Sequence, residues 1–410
     1  PSPLRHRSKK NAEARIEAGL EAEGIVAALK AEALPDLEAW ERALLESCLK
    51  AGAQALAHVL APIGTGRRDK PVVCTCGVPM RSQGRRSKAL STLLGTVEYR
   101  RSLFVCPACG ASRFPGDELL DVMGTGFSPG VRRLMARAGS RTSFAEAESD
   151  LAAYANVRVD RRDIERIAEQ MGREVEDWRN RQEAPAPEPV PLLYVSFDGT
   201  AAPMRRNELA GRKGRQPDGS AKGREVKVGC VFTQTGTNDE GFPVRDDDST
   251  SFVAGLESST LFGERIYQEA VRRGLDRART VVVLTDGAAY NKTIAQTHFP
   301  EAVHVIDLYH AREHLHSLAV LCRAADREEE WKDLLDQGAI GQLADSVRPR
   351  LPKRGEPRKE ALKELNYFRK NERHMQYAEF RRRGFFVGSG VVEAGCRTVV
   401  GRRLKQPGMF

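Results

Sequence analysis

The sequence predicts an α/β protein: a mixed-sheet domain in the carboxy-terminal half, preceded by a helical region, a four-cysteine ribbon and a helical hairpin. Three observations carry that expectation. Two short apolar runs, Leu192 to Phe197 and Val281 to Leu284, have the character of buried strands, and each leads into an Asp-Gly pair, at Asp198 and Asp286. Two close cysteine pairs, Cys74 with Cys76 and Cys106 with Cys109, bracket an alternating segment. A Pro-rich stretch, EAPAPEPVP at 183–191, reads as a short stiff linker between the two halves.

The first half divides into three segments. Residues 1–70 form a helical region, in which 11–60 are rich in Ala, Leu and Glu with helical periodicity and should make two helices interrupted near Pro35. Residues 71–120 form the ribbon. Gly77 and Gly110 follow the cysteine pairs and permit the left-handed turn that aims backbone amides at thiolate sulfurs, while four thiolates satisfy tetrahedral Zn²⁺. The segment TLLGTVEYRRSLFVC supplies the strand pair. The first pair is C-x-C rather than C-x-x-C, and buried or redox-active thiols are the alternative to zinc. Cys48, Cys230, Cys322 and Cys396 are scattered singly, as small core hydrophobes would be. Residues 121–182 read as three short helices, one starting at Ser143 with Glu146 at capping-box spacing and the next at Asp160 with Asp163 in the matching position. The last two, joined near Asn156 to Val159, suit a helix-turn-helix whose second helix would carry Arg161, Arg162 and Arg166 into a major groove. A helical hairpin with no DNA role is the alternative.

The second half, 192–410, carries the acids. A carboxylate at the end of a buried strand sits at the sheet edge, where open α/β sheets bind ligands, and the following Gly lets backbone or ligand approach. A lone Asp-Gly after a strand is an ordinary turn signal; two copies plus a third acid, Glu393 in VGSGVVEAG, fit a two-metal site. Glu393 shares a predicted helix face with Arg397, so a surface ion pair is its bland alternative. Between the first acid strand and the alternating EVKVGCVFT lies a basic, Gly-rich hairpin tip, NELAGRKGRQPDGSAKGR, which lacks a Walker-type signature and reads as a loop meeting a nucleic-acid backbone or as solvated chain. A helix near Phe262 to Arg273 precedes the second acid strand. AVHVIDLYHAREHLHSLAVL then gives a strand running into a helix, with Asp307 and His310 at the junction. His310 and His314 in HAREH match a short zinc pattern, but five residues match by chance easily, and a His at a helix head is better placed to hydrogen-bond phosphate or fix an acidic ligand. Residues 324–380 read as an all-helical insertion. Arg397, Arg402, Arg403 and Lys405 surround Glu393 with cations suited to phosphodiester.

At 410 residues the chain exceeds one core and should form two or three domains; its net charge of +9 and pI of 9.2 favour a polyanionic partner. No apolar run approaches a membrane span, and PSPLRHRSKK lacks a secretion signal, so the expected location is cytoplasmic. A chain that starts at Pro1 rather than Met is expected to be a fragment or processed form.

The motifs SFDGT, TDGA and DLYH, and above all N-E-R-x-M-x-Y followed by GSGVVEAGCR-x-x-V-x-x-RLK-x-x-G-M, resemble transposases of the ISKra class of bacterial insertion sequences. The likeness runs the length of the chain, although that family usually continues past the Gly-Met segment. It implies a DDE recombinase with an RNase H-like mixed sheet and a helical insertion, related at a distance to the Mutator-like group. Asp198, Asp286 and Glu393 would hold two Mg²⁺ (or Mn²⁺) ions, and Asp307 with His310 would be the accessory pair. His374 falls at a variable position and takes no role. Double-stranded DNA, both element ends and target, would be the partner of a homo-oligomer, with the ribbon and helix-turn-helix recognising ends. A structure-selective RNase H-like nuclease without strand transfer, and a non-enzymatic ribbon and helix-turn-helix regulator, are the rivals.

Overall fold

The computed structural model describes residues 36–66, 71–181, 189–204 and 223–406, together with Gly24 and Val26. The first of the two expected amino-terminal helices, most of the Pro-rich linker and nearly all of the basic hairpin tip lie outside the described residues. The chain divides into two compact units, Pro1–Arg179 and Asn180–Phe410. The described residues of the three segments expected in the first half fall, up to Arg179, within the first of these units. Among the described residues no helix is long and apolar enough to cross a membrane.

In the first unit, helix α1 (Leu37–Gly64) starts at Asp36, whose side chain accepts from the amide of Ala39. It packs Leu60 against Val97 and Tyr99 of a hairpin made by β1 (Arg81–Thr92) and β2 (Gly95–Val105), with the two-residue β3 (Ser112–Arg113) added beside β2. The hairpin is longer than the alternating segment indicates. The first eight residues of β1, RSQGRRSK, are polar, mostly exposed and interrupted by a register shift near Gly84, so they show no buried alternation for a sequence reading to detect. Asp117, in the short helix α2 (Pro115–Leu119), is buried and ties this layer together: it accepts from the Tyr99 hydroxyl at 2.6 Å and pairs with Lys88 and Arg101 at 3.0 and 3.1 Å.

Three helices follow, α3 (Pro129–Gly139), α4 (Phe144–Ala155) and α5 (Arg161–Arg181), around Val131, Met135, Leu151, Ile164 and Ile167. Ser143 caps α4 as expected, accepting from Glu146 N–H at 3.2 Å, and α4 ends at Asn156 in the left-handed region. Asp160 caps α5 differently, through the amide of Arg162 at 2.8 Å. At 21 residues α5 is not a short helix.

The second unit is built on a five-stranded mixed sheet in the order β10–β9–β4–β5–β8, with β4 (Leu192–Pro203), β5 (Gly223–Gln234), β8 (Ser251–Gly255), β9 (Thr280–Thr285) and β10 (Val303–Ile306). A small separate pair, β6 (Gly236–Thr237) and β7 (Pro243–Val244), lies between β5 and β8 in sequence. The first three sheet strands are antiparallel; β9 and β10 run parallel to β4. Alternation on β4 sends Leu193, Val195 and Phe197 to one face, under α6 (Ser259–Arg272) and α7 (Ala289–His298), and Tyr194 and Ala202 to the other. That second face is covered by α8 (Leu308–Leu321) and the helical segment α9 (Glu328–Asp336), α10 (Ile340–Val347), α11 (Glu356–Asn371) and α12 (Tyr377–Arg382). The segment expected as an insertion is thus part of the sheet's own core. Trp331, fully buried, donates its indole N–H to Ser346 within it. The chain returns through α13 (Gly390–Gly395), a π-helical turn at Cys396–Gly401 and α14 (Arg402–Leu404).

Candidate functional site

Two sites take shape, one in each unit. In the first, Cys74, Cys76, Cys106 and Cys109 bring their sulfurs within 4.8 Å of one another, with Cys74–Cys109 and Cys76–Cys106 at 3.5 Å. A tetrahedron with Zn–S bonds of about 2.3 Å requires sulfurs about 3.8 Å apart, so the cluster has metal-site dimensions. Gly77 (φ 87°) and Gly110 (φ 72°) make the left-handed turns. The amide of Cys76 holds the Cys74 thiol down to about 6, and the amides of Cys109 and Ala108 lower Cys106. Cys109, although Ala111 N–H pulls it down, is pushed up to about 12 by the other three sulfurs. Some sulfurs are primed as thiolates while their neighbours resist the accumulating negative charge, the electrostatic situation that a divalent cation relieves.

The second site is a row of carboxylates. Ser196 of β4 pairs with Leu284 of β9, and Ile306 of β10 pairs with Thr285. Continuing those registers puts Asp198 opposite Asp286 and Asp307 beside Asp286, all three at one level across adjacent strands. Asp198 is not at its strand's end, contrary to expectation: β4 runs on to Pro203 because β5 keeps pairing with it. What ends at Ser196 is the parallel pairing with β9, and this exposes Asp198 at the carboxyl edge of the parallel strands.

Each acid has one oxygen engaged. Asp198 Oδ1 accepts from Gly199 N–H at 2.6 Å, and Asp286 Oδ1 from Ala288 N–H at 2.8 Å and Asn291 Nδ2 at 2.7 Å. Glu393 Oε1 accepts from the Ser389 hydroxyl at 2.7 Å. The other oxygen of Asp198 accepts from the Cys396 thiol at 4.0 Å, whereas among the described residues nothing donates to the second oxygen of Asp286 or Glu393. Burial raises the Asp198 carboxyl above its ordinary value; Gly199 N–H and His310 pull it down, whereas Asp286 and Glu393 push it further up. Glu393 therefore lies within the field of the strand acids. The three carboxylates do not draw together as closely as the thiols: among the described residues the cysteines alone form a group of three or more donors within 4.8 Å. Hard oxygen donors, with the second oxygens of Asp286 and Glu393 left without a donor among the described residues and that of Asp198 met by a weak thiol donor, fit Mg²⁺ or Mn²⁺ chemically.

The glycines beside the acids are needed for close approach. A Cβ on Gly199 would lie 2.5 Å from Glu225 Oε1 and 2.8 Å from the Tyr290 hydroxyl; Gly287, at φ 84°, has Ile306 and the Tyr367 hydroxyl 3.1 Å from where a Cβ would sit. Tyr290 and Tyr367 thus flank the site. Burial and then nearby carboxylates, Asp286 among them, raise both phenols and keep them as neutral donors.

Asp307 is fully buried, and both its oxygens are used: Oδ1 caps α8 through His310 N–H at 2.7 Å and Oδ2 accepts from Ser389 N–H. It fixes backbone. The His310 ring lies 3.4 Å from Glu313, while His314 bonds Glu364 at 2.6 Å and stacks on Tyr367, so the two histidines face different partners. The His374 ring lies tilted beside that of His304, centroids 4.5 Å apart, and approaches its carbonyl at 3.1 Å. The helical periodicity expected through Glu393 breaks at the π turn, and no ion pair joins Glu393 to Arg397 among the described residues.

Of the basic residues, Arg161, Arg162, Arg397, Arg402 and Arg403 are exposed, Arg166 is paired with Asp163 at 2.7 Å, and Lys405 donates to Thr200 at 2.6 Å. Of the scattered cysteines only Cys230 and Cys322 are buried; Cys48 is exposed, and Cys396 sits against Asp198, its thiol raised to about 12 by burial and then by that carboxylate. Asn291, Ser389, Tyr290 and Tyr367 were not legible as site residues. Ser389 alone had a signal, its four-residue spacing from Glu393 on a short helix. No family model matches the chain, and no curated protein matches it.

Proposed function

We propose that this chain is a DNA transposase of the DDE type, which binds the ends of a mobile element, cleaves them and joins the 3′-hydroxyl to target DNA. The observation that carries the reading is the parallel β4–β9 register, which, continued by two residues, sets Asp198 of β4 level with Asp286 just past β9, while Glu393, on a helix beyond a long helical segment, acts electrostatically on Asp198. The sheet, three antiparallel strands followed by two parallel ones with the first strand central, supports an RNase H-like assignment. Asp198, Asp286 and Glu393 are the residues to hold Mg²⁺ or Mn²⁺, which when bound would supply charge stabilisation to the attacking and leaving oxygens of a phosphodiester. His310, one-third exposed and acting electrostatically on Asp198, is placed to donate to a phosphate oxygen. Asp307 serves as the backbone anchor of the site. Arg397, Arg402 and Arg403 are suited to phosphate contacts in the second unit. In the first unit the cysteine cluster would hold Zn²⁺, and Arg161 and Arg162, exposed at the start of α5, support end recognition by the helical hairpin. Acting on paired ends calls for a homo-oligomer on DNA.

The test incubates the protein with DNA of its element ends, Mg²⁺ and a supercoiled plasmid. Joined products that depend on Asp198 support transposition. Cleavage without joining would assign a structure-selective nuclease instead, and end binding with no cleavage, unchanged by Asp198→Asn, would assign a regulator.

A further inference from the structure

We propose that Asn291 and Ser389 are positioning residues that orient Asp286 and Glu393 toward divalent cations; this rests on reading the three carboxylates as the metal-holding group. Asn291 is fully buried in α7, where its Nδ2 donates to Asp286 Oδ1 at 2.7 Å while its own Oδ1 finds no partner among the described residues. A buried amide oxygen left unpaired is costly, and an apolar side chain would fill the position without that cost. The donor to Asp286 is what an apolar residue would lose. With Ala288 N–H on the same oxygen, that carboxylate is fixed through Oδ1, and among the described residues nothing donates to its Oδ2.

Ser389 does the equivalent for Glu393 and is itself held. Its N–H is bound by Asp307 Oδ2, its carbonyl accepts from Glu393 N–H at 3.1 Å, and its hydroxyl donates to Glu393 Oε1 at 2.7 Å. Asp307, at the end of β10, is anchored in turn through the cap on α8. A continuous bridge therefore runs from the sheet to the tip of a glutamate that stands on a six-residue helix and is otherwise exposed. A glutamate with three free torsions would lose rotamer freedom on binding a cation; the bridge removes that loss in advance.

The experiment titrates Mn²⁺ into the full chain by calorimetry and, in parallel, follows the Mg²⁺ dependence of end cleavage. Ser389→Ala and Asn291→Ala should each weaken Mn²⁺ binding about tenfold, and Ser389→Thr, which keeps the hydroxyl, should stay within about threefold of wild type. Half-saturating Mg²⁺ should rise about tenfold for Ser389→Ala, while the rate at saturating Mg²⁺ falls far less, a split that simple loss of folded protein would not produce. Mn²⁺ affinities equal to wild type in both alanine variants would overturn the inference and leave the transposase reading standing. Wild-type Mn²⁺ binding that is unchanged by Asp198→Asn would remove the metal from the carboxylates and overturn both.

Discussion

The cysteine cluster and the carboxylate row are both arrangements of metal-compatible ligands, and they are assembled by opposite means. Each cysteine pair sits in its own tight turn, closed by a left-handed Gly and by local amides, such as Gly77 N–H to the Cys74 carbonyl and Gly110 N–H to that of Cys106. Only the hairpin between the turns is long-range. The carboxylates come from β4, from the turn after β9 and from α13, and their alignment depends on strand register and on a helical segment of more than fifty residues folding onto the sheet. The sulfurs end within 4.8 Å of one another and the carboxylates do not. Soft ligands that share backbone amides tolerate crowding, whereas like-charged oxygens with their own local donors stay apart.

The sharpest break in that comparison comes from removing ligands. Asp198→Asn, Asp286→Asn and Glu393→Gln should each lower end cleavage by at least ~10²–10³-fold, and double variants should lose little more, because such groups act as a unit. DNA binding measured without metal should persist. One variant that cleaves at near wild-type rate takes that residue out of the site. In the other unit, Cys106→Ser with Cys109→Ser should eliminate about one equivalent of bound zinc and unfold the ribbon, with circular dichroism and metal analysis as readouts. Zinc retained at full stoichiometry sinks the assignment.

The same contrast explains what could be read from the chain. The cysteine site was legible because its information is local: spacing and glycine position say nearly everything. Asp198 and Asp286 were legible as acids followed by glycine, and Glu393 as an acid in a Gly-flanked segment, but not the reason for the glycines after the two aspartates. Gly199 lies within a strand and makes room for Tyr290 and Glu225, which arrive from α7 and β5. Nor could the sequence indicate that Asp307 is consumed by backbone, since its second partner, Ser389, is 82 residues away. The polar part of β1 escaped because exposed strands show no burial alternation, and 324–380 read only as an all-helical insertion because apolar spacing does not say what the helices cover.

A smaller effect separates the two sites by pH. His304, on β10 beneath the acid row, bonds the Thr285 hydroxyl at 2.9 Å, and burial, followed by His374 and Lys292, lowers its imidazole to about 3. Neutral His304 is therefore favoured in the folded state. The associated stability is fully present above about 6.5, the ordinary histidine value, and is lost as pH falls through that value toward 3. His304→Gln should flatten this part of the profile, recovering roughly 3–6 °C of melting temperature near pH 4 relative to wild type. Identical slopes in the two proteins would mean that His304 does not carry the transition.

The smallest expected effect tests the electrostatics of the carboxylate row directly. Burial, Asp286 and Glu393 raise the Asp198 carboxyl in the folded protein, so its protonated form is favoured there more than in the unfolded chain. That contribution is complete below the ordinary aspartate value of about 3.9 and disappears as pH rises through the higher folded value. Asp198→Asn keeps an acceptor for Gly199 N–H and never acquires the charge. With divalent cations chelated, its melting temperature should match wild type in acid and exceed it at neutral pH by about 1–2 °C, a small gain because the site is partly solvated. Millimolar Mg²⁺ should reverse the order, since a ligand that binds only the folded wild-type site stabilises it by mass action and the variant has lost that ligand set. A variant no more stable than wild type at neutral pH would mean that Asp198 is not crowded by its neighbours, and one that Mg²⁺ stabilises equally would mean that it is not part of a cation site.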